Sequence, residues 1–150
     1  MKLITDELYD NKSPICFFMD AEFKTKDTLF QIIDFKQDIR RHFKLLYRYY
    51  GDVYYFNQRE GDCLSVRVDN NYIFGLIICP YKTKSINYTA VKNAIVRLRM
   101  QINKNHLYRP ATEHISKIYI SLDASDVNQS ELEKILNDVF ALVEIDICIV

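Results

Sequence analysis

The sequence predicts an α/β fold in three layers, a mixed and mostly parallel sheet with helices on both faces. Three observations carry that expectation. Short continuous apolar runs such as Ile15 to Met19 fit strands buried on both faces. Elsewhere apolar side chains recur at steps of three or four, the period of an amphipathic helix. The two kinds of segment alternate along the chain, as they do when helices cover a parallel sheet.

Taken in order, the first strand follows Pro14. From Thr28 to Tyr50, apolar residues at Leu29, Ile32, Ile33, Ile39, Phe43, Leu46, Tyr47 and Tyr50 predict one long helix. Thr28 and Gln31 have capping-box spacing at its start, and Gly51 follows its last turn. Val53 to Phe56, Cys63 to Val68 and Tyr72 to Cys79 are rich in β-branched and aromatic residues and predict strands. Asp69-Asn70-Asn71 is turn chemistry, so the last two should form a hairpin, and Pro80 closes the third. A second helix is expected from Tyr88 to Asn103, on the stripe Tyr88, Val91, Ala94, Ile95, Leu98 and Ile102. Polar residues around Pro110 break the pattern. Ile115 to Leu122 predicts a strand. Ser130 and Glu133 have capping-box spacing before a third helix with the stripe Leu132, Ile135, Leu136, Val139 and Phe140. Ile145 to Val150 is the last strand. No linker or repeat interrupts the 150 residues, which predicts one domain.

Composition narrows the function classes. Twenty basic and twenty acidic side chains cancel, so no global field attracts nucleic acid or an anionic membrane. Cys16, Cys63, Cys79 and Cys148 form no CxxC pair and have no His at zinc-ligand spacing, so no metal is expected. They fit small buried hydrophobes in a reducing compartment. The start, Met1 to Asp6, is acidic within six residues and no apolar run could span a bilayer, which predicts a cytoplasmic or nuclear protein. An abundance of Lys, Asn, Ile and Tyr fits an AT-rich genome, as many viruses have.

Ligands of such sheets bind at the carboxyl ends of the strands, which directs attention to the loops 20–27, 80–87 and 121–129. Asp20 and Glu22 there could contact a ribose, or form a solvated turn beside a helix N-terminus. Asp123 and Asp126 could act as an acid–base pair, or cap a helix. Tyr47, Tyr49, Tyr50, Tyr54, Tyr55 and Phe56 could stack on bases, but fit core packing better. Lys36, Arg40, Arg41, Lys44 and Arg48 recur at helical spacing, as on a solvated helix face. His42, His106 and His114 are isolated and receive no role.

Along nearly its whole length the chain resembles a macro domain, in particular the short branch that processes terminal ADP-ribose. Asp6-Glu7-Leu8-Tyr9 stands where that family has Gly-Asp-Leu/Ile-Phe, and the resemblance implies that Glu7 recognises adenine. Phe23-Lys24-Thr25-Lys26-Asp27-Thr28-Leu29-Phe30 is similar to the family's phosphate loop Phe-Lys-Met-Gly-x-Gly-Ile-Ala. Arg40-Arg41-His42-Phe43 through Tyr50-Gly51 resembles the basic, aromatic end of the family helix. Ile77-Ile78-Cys79-Pro80-Tyr81-Lys82-Thr83-Lys84 with Tyr88 looks like its strand, loop and next helix. Ile120-Ser121-Leu122-Asp123-Ala124-Ser125-Asp126-Val127 replaces Ile-Gly-Cys-Gly-Leu-Asp-Gly-Leu. The family's catalytic aspartate falls on Ser125 or, with a one-residue gap, on Asp126.

The resemblance implies ADP-ribose as ligand, bound without a cofactor by Glu7, Asp20, Lys24, Lys26, Thr28, Ser121 and Asp123, with an ADP-ribosylated protein as partner and removal of ADP-ribose as activity. The departures are physical. Family glycines let backbone N–H groups approach two phosphates, and Lys26, Thr28, Ser121 and Ala124 would crowd that approach. With only Gly51, Gly61 and Gly75 in the chain, neither loop has a glycine, which argues against retained hydrolysis. Two alternatives follow: a degenerate, non-catalytic macro fold, plausibly viral, that serves as a structural or protein-interaction module, and a weak RNA-binding factor.

Overall fold

A computed structural model describes residues 1–49, 60–79, 86–123 and 125–150, without the side chains of 47–49. The expected strand at Val53 to Phe56, the cap at Gly51 and most of the aromatic run lie outside the described residues.

The elements are β1 (Lys2–Ile4), β2 (Ile15–Asp20), α1 (Thr28–Gln37), α2 (Ile39–Tyr49), β3 (Cys63–Val68), β4 (Asn71–Cys79), α3 (Tyr88–Tyr108), β5 (Lys117–Ser121), α4 (Gln129–Val139) and β6 (Asp146–Ile149). The described strands form one sheet in the order β1-β6-β5-β2-β4-β3. All neighbours run parallel except β3 and β4. Those two are the expected hairpin. Val68 pairs with Asn71, and the residues between, Asp69 and Asn70, have φ of 50° and 64°. Two positive φ angles match the right-handed twist of the flanking strands, and Asp and Asn tolerate them.

Burial divides by strand alternation. On β2, Ile15, Phe17 and Met19 face a core shared with Phe30 of α1 and Phe43 of α2. Cys16 and Phe18 face the other core, with α3 and α4. The sheet is therefore the middle of three layers, as expected. Gly75 on β4 lets α2 lie close: a Cβ there would sit 2.9 Å from Met19 Sδ and 3.1 Å from the Phe43 ring.

Three local expectations change. The helix expected from Thr28 to Tyr50 is two helices, broken at Asp38, whose φ is 55°. The reason was visible in the pattern, since Ile33 to Ile39 is a step of six. Asp34 Oδ1 accepts from Arg40 N at 2.8 Å and so starts α2. The cap of α1 is Asp27, not Thr28, because the Asp27 carboxylate reaches Phe30 N at 3.1 Å. The cap of α4 is Asn128, which accepts from Glu131 N at 3.1 Å, two residues before the expected Ser130. In addition α3 runs to Tyr108, beyond the expected Asn103.

No described helix is long and apolar enough to cross a membrane.

Candidate functional site

The connections leaving β2 and its neighbours diverge. The loop after β2 leads to α1 on one face of the sheet, while those after β4 and β5 lead to α3 and α4 on the other. Where chains part in this way, a crevice opens at the carboxyl ends of the strands. Here it is a cleft of about 590 Å³. Phe18, Met19, Ile78 and Ile86 supply apolar surface, and Asp20, Lys24, Lys26, Ser125 and Asp126 supply polar groups.

The loop after β2 is shaped by hydrogen bonds rather than by glycine. The register of β2 on β4 slips between Met19 and Asp20, so Asp20 pairs with Cys79 and not Ile78. Such a bulge re-aims a side chain at a strand end. Asp20 Oδ1 accepts from Glu22 N at 2.8 Å and Lys24 N at 3.0 Å. Phe23 has φ of 64°, a conformation costly for a bulky side chain. Burial of its ring beside Phe43, with centroids 5.8 Å apart, holds it there. Arg40 braces the same turn: Nε donates to Phe23 O at 3.1 Å and Nη2 to Glu22 O at 3.2 Å. The expectation of an outward basic stripe is thus corrected at Arg40, whose guanidinium is turned onto the loop.

The loop after β5 is stitched to the start of α1. Ser121 Oγ donates to Asp27 Oδ2 at 2.5 Å, and both residues are buried. Beside it, Thr28 N donates to Asp123 Oδ2 at 2.9 Å. Burial raises the Asp27 pKa above its ordinary value, the hydrogen bonds from Ser121 and the Phe30 N–H oppose that, and the charge of Asp123 adds to it. Farther along, Ser125 Oγ accepts from Val127 N at 3.0 Å. The Tyr88 hydroxyl accepts from Asn128 N at 3.0 Å and ties α3 to α4 beside the cleft.

The structure thus brings together Asp20, Lys24, Lys26, Ser125 and Asp126 as lining of one cleft. Thr28, Ser121 and Asp123 form the seam next to it. Glu7 lies elsewhere. Its carboxylate accepts from Lys117 Nζ at 2.5 Å and from the Tyr119 hydroxyl at 3.2 Å, beside the first half of β5. Those bonds to Lys117 and Tyr119 lower its pKa. Glu7 is not among the residues that line the cleft.

Two residues escaped the sequence reading. The capping-box spacing of Thr28 and Gln31 masks Asp27 in the sequence, though an aspartate just before a helix is itself a cap signal. Cys79 lines the cleft at the end of β4. Burial pushes its thiol up to about 11, and the nearby carboxylates of Asp20, Glu60 and Asp126 add to the rise. At neutral pH it is a thiol and not a thiolate, so it is a poor nucleophile. No group of three or more His, Cys, Asp or Glu arranged to hold a metal occurs among the described residues.

No family model matches the sequence, and no curated protein matches it. Solved structures do. The macrodomain of Mycobacterium tuberculosis DarG superposes with a TM-score of 0.71 at 8% identity, over 98% of this chain and 95% of that one. A macrodomain protein from Streptomyces coelicolor gives 0.63 at 12% identity, over 99% and 97%. Thermosipho africanus DarTG, solved in complex with ADP-ribose, gives 0.63 at 9% identity, over 93% of this chain and 38% of that one. At such identities the likeness speaks for architecture alone, and it agrees with the sheet order and layering described above: this chain has the macrodomain fold.

Proposed function

We propose that the cleft binds ADP-ribose or a related nucleotide. The observation that carries this reading is the make-up of the cleft. An apolar floor of Phe18, Met19, Ile78 and Ile86 lies beside two lysines, Lys24 and Lys26, at the carboxyl end of the sheet. A nucleotide presents the matching pair of surfaces, an apolar base and an anionic phosphate. The macrodomain fold supports the reading, since one protein of similar fold was solved with ADP-ribose. In this reading the segment 24–28 faces the phosphates, and Ser125 or Asp126 stands near the distal ribose. Glu7 would have to leave Lys117 to meet an adenine, so the reading rests on the other residues. Calorimetric titration with ADP-ribose tests it. Heat of binding and a raised melting midpoint are expected, and neither appearing would overturn it.

Removal of ADP-ribose from an ADP-ribosylated protein is the finer form of this proposal, with Ser125 or Asp126 in the catalytic place and Asp126 the one of the two that carries a carboxylate. Release of ADP-ribose from a modified protein, lost in Asp126→Asn, is its test.

One observation favours a second reading, a non-catalytic interaction module. The N-terminus of α1, the natural anion site beside the cleft, is already occupied by the chain's own carboxylates, Asp27 and Asp123. A crystal grown with ADP-ribose and showing a filled cleft would rule that reading out.

A further inference from the structure

We infer that a second groove, between the end of α3 and the β3–β4 hairpin, is a docking site for an acidic peptide segment of a partner protein. It lies apart from the nucleotide cleft and does not rest on the reading of that cleft.

The groove has a volume of about 540 Å³. Tyr72 and Phe74 line it near the start of β4, whereas the cleft opens at Cys79, where β4 ends. Tyr72 precedes Cys79 by seven residues, which is about 23 Å along a strand. The walls are held by directed bonds. Gln101 Nε2 on α3 donates to Cys63 O on β3 at 2.7 Å. The buried Asn105 accepts from Ile115 N at 2.8 Å and donates to Glu113 O at 3.3 Å. These bonds fix α3 against the hairpin and against the segment before β5. A ligand therefore meets a surface already in place, and little ordering opposes it.

The chemistry of the lining specifies the occupant. Leu46, Leu64, Tyr72 and Ile115 supply apolar surface beside two exposed cations, Lys104 and Arg109. Neither cation forms an ion pair among the described residues. A third cation, Arg67, lies over the ring of Tyr72, 5.6 Å from its centroid. No Asp or Glu lines this groove, whereas Asp20 and Asp126 line the cleft. Tyr108 also lines it while 76% exposed. Tyr and Arg are the side chains that most often anchor a partner. Cations at a helix C-terminus also suit the helix dipole, but the dipole calls for neither an apolar floor nor an exposed tyrosine beside them.

The complement of this surface is an apolar side chain flanked by carboxylates. A second copy of the chain fits badly. Across a two-fold axis it would set Lys104 and Arg109 of one copy against the same cations of the other. A nucleic-acid strand also fits badly. It needs a cationic track over several nucleotides, and the chain carries no net positive charge.

The probe is the peptide acetyl-Glu-Glu-Leu-Phe-Glu-Glu-amide, titrated into the whole chain and followed by NMR. Saturable shifts are expected at Ser65, Tyr72, Gln101 and Tyr108, and they should weaken as salt rises. The same peptide with lysine for glutamate should not bind. The double variant Lys104→Glu with Arg109→Glu should bind the acidic peptide at least about tenfold more weakly and take up the basic one. If a thermal melt shows that this variant is unfolded, Lys104→Gln with Arg109→Gln replaces it, with the same loss expected for the acidic peptide. No binding of the acidic peptide, shifts confined to other residues, or undiminished binding by the folded variant overturns the inference. Two further outcomes also overturn it. Oligouridylate shifting the same residues at lower concentration would make the groove a nucleic-acid site. A dimer seen by light scattering and dissolved by the charge reversal would make it an interface between copies.

Discussion

The buried run of β2 and the loop that follows it are adjacent in sequence and held in opposite ways. Ile15 to Met19 are all buried, and packing on both faces of the sheet keeps them in place. From Asp20 to Thr28 only the side chains of Ala21 and Phe23 join the core, and polar partners hold the rest: Asp20 by its own loop's N–H groups, the Glu22 and Phe23 carbonyls by Arg40, Asp27 by Ser121, Thr28 by Asp123. The strand draws its order from non-directional apolar burial, which many side chains can supply. The loop adds to the two buried anchors, Ala21 and Phe23, a set of directed bonds whose partners lie up to 95 residues away. The loop, and not the strand, should therefore decide which ligand fits.

The predicted substitutions test that division. The largest effect should come from the core. Phe43→Ala removes a fully buried ring between α2 and the sheet and should cost about 4 kcal/mol in urea unfolding, with the loss spread over the whole fold. Next is Ser121→Ala, which leaves a buried oxygen of Asp27 without its donor. It should cost about 2 kcal/mol and change ligand binding as well as the denaturation midpoint. A loss as large as that of Phe43→Ala would erase the distinction between core and loop.

Arg40→Ala should cost about 1 kcal/mol, because the carbonyls of Glu22 and Phe23 lie near water that can replace the guanidinium. Its signature is local: faster amide hydrogen exchange over 20–26 with the strands protected as before.

Asp27→Asn should change stability by less than about 1 kcal/mol at neutral pH, since an asparagine also caps well. Its mark is the pH profile. Burial raises the folded-state pKa of Asp27 above its ordinary 3.8. The proton on Asp27 therefore favours the folded state below that value, and the benefit is lost as pH rises through the folded-state pKa. Urea melts of the wild-type protein should show this loss as pH rises from 3.8 through the raised folded-state pKa, and Asp27→Asn should flatten it. The smallest effect is expected of Lys117→Met. It breaks an exposed ion pair with Glu7 and should leave both ligand affinity and melting midpoint unmoved, because solvent and salt screen such pairs.

Much of the scaffold was legible because period and apolarity survive without knowledge of neighbours. The all-apolar run of β2, the Asp69-Asn70 turn and the α3 stripe each state their structure locally. The break at Asp38 was legible too, in the six-residue step from Ile33 to Ile39, but the steps of three and four on either side masked it. The candidate site was legible only as a set of loops. Lys24, Lys26, Asp20, Ser125 and Asp126 do share one cleft, but which of their neighbours face it and which are tied up behind it could not be read from spacing. Thr28 offered a capping box, while Asp27, one residue earlier, was the cap, because its side chain is also needed by Ser121 across the fold.

By itself the sequence determined the layered α/β architecture and the absence of glycine from both loops. Periodicity and composition are properties of the chain alone. The tertiary structure alone decided that a seam of carboxylates, Asp27 and Asp123, closes the start of α1. That outcome depends on the approach of segments some 95 residues apart, and no local pattern encodes a hydrogen bond whose donor and acceptor meet only when the sheet is assembled.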